Sequence, residues 1–144
     1  MPVSWNATEP ELAWDVINSN NAGGTSPELR FSWKVWVNQL FRISTDFIDA
    51  SQANDLKLSF QHKVEYDTMF GSDEVLLKVL TKTEGHNWVE RWSITPVWHV
   101  PPTKVEIDLS DLDGEKFKIA WVCQGDPSDI NYWYIDDIVV EQNQ

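Results

Sequence analysis

The sequence predicts an all-β fold, an antiparallel β-sandwich or jelly roll of roughly nine or ten short strands. Short runs rich in β-branched and aromatic residues recur along the chain, separated by clusters of Gly, Pro, Asn, Asp and Ser. Residues 56–66 alternate apolar and polar side chains, as expected for a strand with one buried and one solvated face. No segment keeps a helical period over three turns, so we predict no long helix.

The first half of the chain is predicted to form four strands, at residues 12–17, 28–36, 39–44 and 56–66. Residues 18–27 separate the first two strands and contain Asn, Gly and Pro, which allow unusual backbone angles and interrupt regular structure. In the strand at 56–66, His62 is in phase with Phe60 and Val64, so we expect it to be a hydrogen-bonded core residue.

The second half of the chain is predicted to form five strands, at residues 74–83, 88–94, 104–109, 116–124 and 131–141. Residues 84–87 provide a turn, and residues 111–114 are interpreted as another turn. Residues 95–102 contain three prolines and are predicted to be a loop or a sheet edge. Cys123 lies in an apolar strand and is expected to be a buried packing residue.

Length and charge limit the possible functions. The chain has 144 residues, which suits a single domain over 1–144, with residues 1–11 expected to be a linker or an edge segment. The formal net charge is -12, which repels nucleic-acid phosphates, so we expect no nucleic-acid partner. No apolar run reaches the ~18 residues that would cross a bilayer, so we expect no membrane insertion.

Two adjacent carboxylates, Asp136 and Asp137, interrupt the apolar last strand. Neighbouring side chains of a strand point to opposite faces, so both cannot face solvent if the strand lies between layers. Burying an unpaired carboxylate is costly, and at least one of them therefore needs a hydrogen-bond donor or a cation.

Four segments, in order along the chain, resemble the choice-of-anchor J and cleaved-adhesin domains. They are 20–31 (NNAGGTSPELRF), 58–66 (LSFQHKVEY), 75–88 (VLLKVLTKTEGHNW) and 132–138 (YWYIDDI). The second contains the family's LSF-x-H strand, and the last contains its WYIDDI signature. The third departs from the family, because Thr-Glu-Gly-His-Asn replaces the Asp-Gly-Gly type of hairpin turn.

The resemblance implies an antiparallel jelly-roll β-sandwich related to MAM and galactose-binding-like domains. Such domains are non-catalytic modules of large secreted or cell-surface bacterial proteins. The resemblance therefore implies that this chain is not an enzyme, and that it belongs to a larger multidomain protein whose secretion signal lies outside this segment. The roles assigned to the family are adhesion and the binding of carbohydrate or protein.

The resemblance also implies a structural calcium ion between the loop after the first strand and the last strand. Mapped onto this sequence, the ligands would come from Asn20, Glu28, Asp136 and Asp137. Calcium takes about 6–8 oxygen ligands from carboxylates and carbonyls, which this loop and this strand can supply. The alternative is that Asp136 or Asp137 accepts hydrogen bonds from loop amides, or pairs with Arg30.

Candidate binding rings come from the 9 Trp of the chain. Sugar rings stack their C–H faces on Trp, and neighbouring polar groups read the hydroxyls. Trp98, in the proline-rich loop beside His99, is the first candidate for an exposed ring, and Trp36 at a strand end is the second. The tryptophans within strands are expected to be core residues: Trp33, Trp88, Trp92, Trp121 and Trp133.

These observations favour a non-catalytic extracellular binding module that recognises carbohydrate or acts in adhesion, with calcium stabilising the fold. The alternatives are a protein-binding adhesin domain and a structural spacer. A glycosidase would need two carboxylates ~5–10 Å apart. Strand carboxylates exist at Glu65, Glu74, Glu90 and Glu106, but we expect them to be solvated or paired with nearby Lys and Arg.

Overall fold

The computed structural model describes residues 5–7, 14–32, 39–66, 75–125 and 130–142. In these ranges the chain forms eleven strands, numbered β1 to β11 in chain order, and one 3₁₀ turn at Ser110–Leu112. All strand pairs are antiparallel and they form two sheets. The antiparallel jelly-roll β-sandwich predicted from the sequence is therefore confirmed. No helix in these ranges has the length and apolar character needed to cross a membrane.

The first sheet has the strand order β1-β4-β10-β7-β8, and β5 pairs with the first residues of β10. Its strands are β1 (Trp5–Ala7), β4 (Gln39–Thr45), β5 (Ile48–Asp49), β7 (Val75–Thr83), β8 (Val89–Ile94) and β10 (Lys116–Gly125). The central strand β10 buries Phe117, Ile119 and Trp121 completely. Cys123 is also fully buried, which confirms its predicted packing role.

The second sheet has the strand order β2-β3-β11-β6-β9. Its strands are β2 (Trp14–Ile17), β3 (Glu28–Phe31), β6 (Lys57–Tyr66), β9 (Val100–Asp108) and β11 (Ile130–Glu141). The last strand of the chain is therefore central in this sheet, between β3 and β6. Asp136 of this strand pairs in register with Gln61 of β6, and the pairing with β3 ends one residue earlier, at Ile135.

The proline-rich segment is partly loop and partly sheet edge. Residues 95–99 connect β8 in the first sheet to β9 in the second, and among the described strands β9 pairs only with β6. Pro101 and Pro102 lie in β9. Proline has no N–H to donate, so an edge strand can accept it where a central strand cannot. Trp98 consequently lies on a connection at the side of the sandwich.

The core lies between the two sheets, and β6 shows how the sequence places it there. Leu58, Phe60 and Val64 are almost fully buried and alternate with outward-facing polar residues. His62 is only 2% exposed, and Trp133 Nε1 donates a hydrogen bond to its Nδ1 atom at 3.1 Å. The predicted hydrogen-bonded core histidine is thus confirmed. Burial lowers the pKa of His62 to about 4, so the ring is neutral at physiological pH.

The expectation for Trp88 is wrong. Trp121 and Trp133 are fully buried and Trp92 packs against the core, whereas Trp33 lies outside the described residues. Trp88 is half-buried, and the Arg42 guanidinium carbon lies 5.0 Å from its ring centroid. Arg42 lies between the core residues Phe41 and Ile43, so it points outward from β4. Trp88 precedes the first residue of β8, and the strand alternation therefore does not fix its side.

Candidate functional site

The loop of residues 18–27 is folded around the carboxylate of Glu28. Glu28 is only 2% exposed and precedes the core residue Leu29, so its side chain points outward from β3 into the loop. Its Oε1 atom accepts hydrogen bonds from Ser19 Oγ at 2.9 Å and from the backbone and side-chain nitrogens of Asn21 at 2.8 and 3.0 Å. Its Oε2 atom accepts one from the Ala22 backbone N–H at 3.0 Å. Glu28 thus anchors the loop on the second sheet.

From this anchor the loop extends over the outer face of the second sheet. A Cβ atom built on Gly23 would lie 3.3 Å from Pro102 in β9. One built on Gly24 would lie 2.5 Å from Asp136 Oδ2 and 2.7 Å from the carboxyl carbon of Asp137, both in β11. The loop backbone therefore passes in contact with both carboxylates, and Gly24 leaves the space that they occupy.

A β-bulge brings the two carboxylates to the same side. The pairing of β11 with β6 shifts between Asp136 and Val139, and Asp137 has a φ of 49°. That left-handed conformation is tolerated by Asp better than by most residues. Strand alternation alone would send Asp136 and Asp137 to opposite faces, as the sequence led us to expect. The bulge overrides this alternation, so both side chains reach the loop.

Asp136 is a buried carboxylate with incomplete hydrogen bonding. It is 7% exposed, and its Oδ1 atom accepts a hydrogen bond from the Asp137 backbone N–H at 2.7 Å. Its Oδ2 atom is buried without a hydrogen-bond partner. Burial raises the pKa of Asp136, and the nearby charges of Asp137 and Glu28 raise it further. Ionising Asp136 here therefore costs more than ionising a solvated carboxyl, and a nearby cation would offset this cost.

The sequence left two alternatives for this doublet besides a metal ion. One is present: the Thr25 backbone N–H donates to Asp137 Oδ1 at 3.2 Å. The other is absent, because Arg30 pairs with Asp15 at 3.4 Å. Backbone N–H groups thus donate hydrogen bonds to one oxygen of each aspartate, whereas Asp136 Oδ2 has no hydrogen-bond donor.

The four predicted metal ligands do not all converge. The carboxyl groups of Asp136 and Asp137 do lie close together. A Cβ atom built on Gly24 would be 2.8 Å from the carboxyl carbon of Asp136 and 2.7 Å from that of Asp137. Glu28 is adjacent but engaged by four hydrogen bonds from the loop. Asn20 is exposed, and its carbonyl accepts the Gly23 N–H at 3.0 Å. In the ranges that the structure describes, no group of three or more His, Cys, Asp or Glu side chains is arranged to hold a metal. A calcium ion here would need carbonyl or water oxygens beside the two aspartates.

A cleft of about 610 Å³ opens beside the loop along the outer face of the second sheet. Its polar lining includes Thr25, Glu28, Gln61, Lys104, Asp136 and Asp137. Carboxylate, amide and ammonium groups thus stand together at the place where the loop crosses β11 and β6. The volume suits a small polar ligand, and ligand sites commonly have this size.

Trp98 is exposed and held in a defined orientation. It is 56% exposed, and its neighbour Val97 is 77% exposed. The rings of Trp98 and His99 are edge to face with centroids 4.5 Å apart. His99 Nδ1 in turn accepts a hydrogen bond from the Tyr66 backbone N–H at 3.0 Å, which ties the loop to the end of β6. Trp98 and His99 therefore form a ring contact on a connection at the side of the sandwich.

A tyrosine pair on the outer face of the second sheet was not singled out from the sequence as a binding feature. The rings of Tyr132 and Tyr134 lie 5.7 Å apart, and the Arg30 guanidinium carbon lies 5.1 Å from the Tyr132 ring centroid. Burial raises the pKa of Tyr134 to about 12, so its hydroxyl stays protonated. The sequence could have indicated this pair by alternation. Trp133 and Ile135 face the core, so Tyr132 and Tyr134 lie together on the outer face.

This tyrosine pair lies near the Trp98 loop. Tyr132 pairs with Glu65, the residue before Tyr66, and His99 is hydrogen-bonded to Tyr66. Strand pairing and the His99 contact thus place the segment that carries Trp98 beside the end of β6 that pairs with the tyrosine-bearing part of β11. Trp36, the second candidate ring, lies outside the described residues.

The strand carboxylates considered for catalysis are engaged in surface ion pairs. Glu65 pairs with Lys63 at 3.5 Å, Glu90 with Lys78 at 3.0 Å and Glu106 with Lys57 at 2.7 Å. Glu74 lies outside the described residues. These pairs are the arrangement expected for solvated strand faces.

No protein-family model matches the sequence, and no curated protein is significantly similar to it. Solved structures do share the fold. The K1 cleaved adhesin domain of Lys-gingipain from Porphyromonas gingivalis aligns over 100% of this chain and 94% of its own, with a TM-score of 0.69 and 17% identity. The carbohydrate-binding module TmCBM61, solved in complex with β-1,4-galactotriose, aligns over 96% of this chain and 88% of its own, with a TM-score of 0.66 and 16% identity.

A more distant similarity involves the family 11 carbohydrate-binding module of a cellulosomal cellulase from Clostridium thermocellum. It aligns over 99% of this chain and 89% of its own, with a TM-score of 0.52 and 13% identity. At such identities the similarities establish the shared β-sandwich fold. A shared fold does not identify a ligand, which depends on the side chains at the binding site.

Proposed function

We propose that the chain is a non-catalytic carbohydrate-binding module of a larger secreted or cell-surface protein, with Trp98 as the ring on which a sugar stacks. The observation that carries this proposal is the 56% exposure of Trp98, held by His99 and the Tyr66 amide. A ring fixed in this way loses little conformational freedom on binding. The resemblance to choice-of-anchor J and cleaved-adhesin domains, and the shared fold with a module bound to β-1,4-galactotriose, also support it.

The polar groups that would orient the sugar lie on the neighbouring sheet face. Lys63 and Glu65 form an ion pair on β6, and Arg30 and Asp15 form another on β3 and β2. Such pairs offer donors and acceptors for hydroxyl groups beside the Tyr132 and Tyr134 rings. A few oriented polar groups around one exposed ring favour weak binding at each site, which a larger protein would strengthen through multivalency.

Calcium would have a structural role in this proposal. Asp136 and Asp137 would hold the ion together with carbonyl oxygens of the loop at 18–27 and water, and Glu28 would keep that loop in position. The bound ion would supply the positive charge that the buried Asp136 Oδ2 atom lacks. Its effect would be on the stability of the loop, not on chemistry.

Binding of neutral oligosaccharides, with β-1,4-galactotriose in the panel, tests the proposal by calorimetry. We expect Trp98→Ala and Trp98→Leu each to weaken binding at least about tenfold, because Leu keeps the apolarity but not the flat face. Val89→Ala, at another exposed apolar residue, is the matched control and should leave binding unchanged. Equal affinity of wild type and Trp98→Leu would refute stacking at this ring.

A protein ligand is the second candidate, because Val97 and Trp98 together form an exposed apolar tip. A protein-binding adhesin domain would use both side chains. In that case Val97→Ala would weaken binding to the partner, whereas stacking of a sugar on Trp98 does not require Val97.

A further inference from the structure

A second surface, which we call the basic face, lies on the outside of the first sheet. Five of the 11 Lys and Arg residues of the chain point outward there: Arg42, Lys78, Lys82, Lys116 and Lys118. Among the described strand residues of this sheet, only the carboxylates of Asp49 and Glu90 share that face. The chain as a whole has 23 acidic and 11 basic residues, so this face reverses the overall charge balance.

Two lysines stand directly opposite each other at the centre of the basic face. Lys118 of β10 pairs in register with Lys82 of β7. Like charges opposite each other across a sheet are destabilising. Glu90 forms an ion pair with Lys78 at 3.0 Å, and Lys116 pairs in register with Asp49. Neither Lys82 nor Lys118 makes an ion pair with a carboxylate in the part of the chain that the structure describes.

Aromatic rings flank the two lysines. Phe47 is 43% exposed, and Lys118 Nζ lies 4.8 Å from its ring centroid. Trp88 directly precedes Val89, which pairs with Thr81, so Trp88 lies beside Lys82. The Arg42 guanidinium lies over the Trp88 ring. Arg42 is in β4 and Trp88 directly precedes β8, and β10 and β7 lie between these two strands, so the contact spans the outside of the sheet. The two lysines therefore lie between Phe47 on one side and Trp88 on the other.

We propose that the basic face binds an anionic polysaccharide built of uronic acids. Each residue of such a polymer carries a carboxylate for a lysine and a pyranose ring whose C–H face can stack on the exposed Phe47 ring. The net charge of -12 opposes the approach of any polyanion, so attraction must come from the local positive charge of this face. The mutual repulsion of Lys82 and Lys118 is relieved when an anion lies between them. An acidic peptide offers the carboxylates but not the flat apolar rings.

This proposal does not depend on the binding of neutral sugars at Trp98. Trp98 follows the end of β8, whereas Trp88 precedes its start, and the Tyr132 and Tyr134 rings lie on the other sheet. A chain bound at the basic face would leave Trp98 free. The two surfaces can thus be tested separately.

Polygalacturonate is the probe, and its binding is measured by affinity electrophoresis and calorimetry at low and high NaCl. We expect wild type to bind at low salt and to lose affinity as salt screens the charges. The double variant Lys82→Gln/Lys118→Gln should bind about tenfold more weakly, since two charge contacts are lost. Phe47→Ala should also weaken binding, but with the salt dependence preserved.

The matched control removes the same charge from the opposite sheet. Lys57→Gln/Lys104→Gln changes the net charge equally, and both side chains point outward from the second sheet. Thermal melts show whether each variant is folded. An equal loss in both double variants, or no binding of polygalacturonate by wild type, would overturn the proposal. Binding of poly-glutamate as strong as that of polygalacturonate would also overturn it, in favour of an acidic peptide.

Discussion

Gly24 and Asp136 are in direct contact across 112 positions of the chain, and a Cβ atom on Gly24 would stand 2.5 Å from Asp136 Oδ2. Real Cβ atoms essentially never approach another heavy atom so closely. The contact joins the loop at 18–27 to the central strand of the second sheet. Glycine is required here for its size, because the space that a side chain would fill is occupied by carboxylates.

Gly24→Ala should therefore destabilise the protein, by about 1–3 kcal/mol, as overpacking does. Asp137 is exposed and can turn away, but Asp136 is held by the Asp137 N–H and by its buried surroundings. Urea denaturation measures the loss. Thr25→Ala is the control, because Thr25 uses only its backbone N–H to bind Asp137. If both variants were as stable as wild type, the loop would not lie against the doublet.

Calcium should raise the thermal midpoint of wild type, and a chelator should lower it. The reason is the raised pKa of Asp136, since a cation offsets the cost of its buried charge. In the metal-free protein the folded carboxyl holds its proton more tightly than the unfolded one. The contribution of Asp136 to the free energy of unfolding therefore falls as the pH rises above 3.8, the pKa of this carboxyl in the unfolded chain.

The variant Asp136→Asn distinguishes the effect of a calcium ion on stability from the effect of the loop contacts. The variant removes the buried charge, so it should be at least as stable as wild type in chelator at neutral pH. It should also lose the calcium-induced shift of the thermal midpoint. Calorimetric melts with and without calcium test both expectations. An unchanged midpoint of wild type in chelator would exclude calcium as a stabilising ligand.

Glu28 should be among the most sensitive positions of the loop. Glu28→Ala leaves the backbone N–H groups of Asn21 and Ala22 without their acceptor. The cost is about 1–3 kcal/mol for the buried Ala22 donor and less for the half-buried Asn21 donor. Hydrogen exchange should show lost protection at these two amides, and urea denaturation should show the loss of stability. Glu106→Ala, which removes an exposed carboxylate, is the control and should cost less than about 1 kcal/mol.

The sequence predicts the strands of this fold well, because one buried face per strand gives a local pattern. The alternation in β6, the core position of His62 and the placement of Cys123 all follow from it. The convergence of Asp136 and Asp137 does not, because a bulge reverses the alternation and no local pattern marks it. The basic face escapes prediction for a similar reason. Its residues come from three strands and two connections, and only their pairing registers bring them together.

Acid should destabilise the protein through His62. In the unfolded chain the ring titrates near 6.5, whereas burial lowers the folded pKa to about 4. The stability that the neutral ring contributes is fully present above pH 6.5. It is lost as pH falls from 6.5 toward 4, with a total on the order of 3 kcal/mol.

His62→Gln isolates this contribution. Gln does not titrate, and its side-chain oxygen can accept the hydrogen bond that Trp133 Nε1 donates to His62. The difference in unfolding free energy between wild type and His62→Gln should shrink or change sign between pH 7 and pH 4. Carboxylates contribute equally to both proteins and cancel in the difference. A pH-independent difference for His62→Gln would mean that the buried ring does not titrate with a lowered pKa.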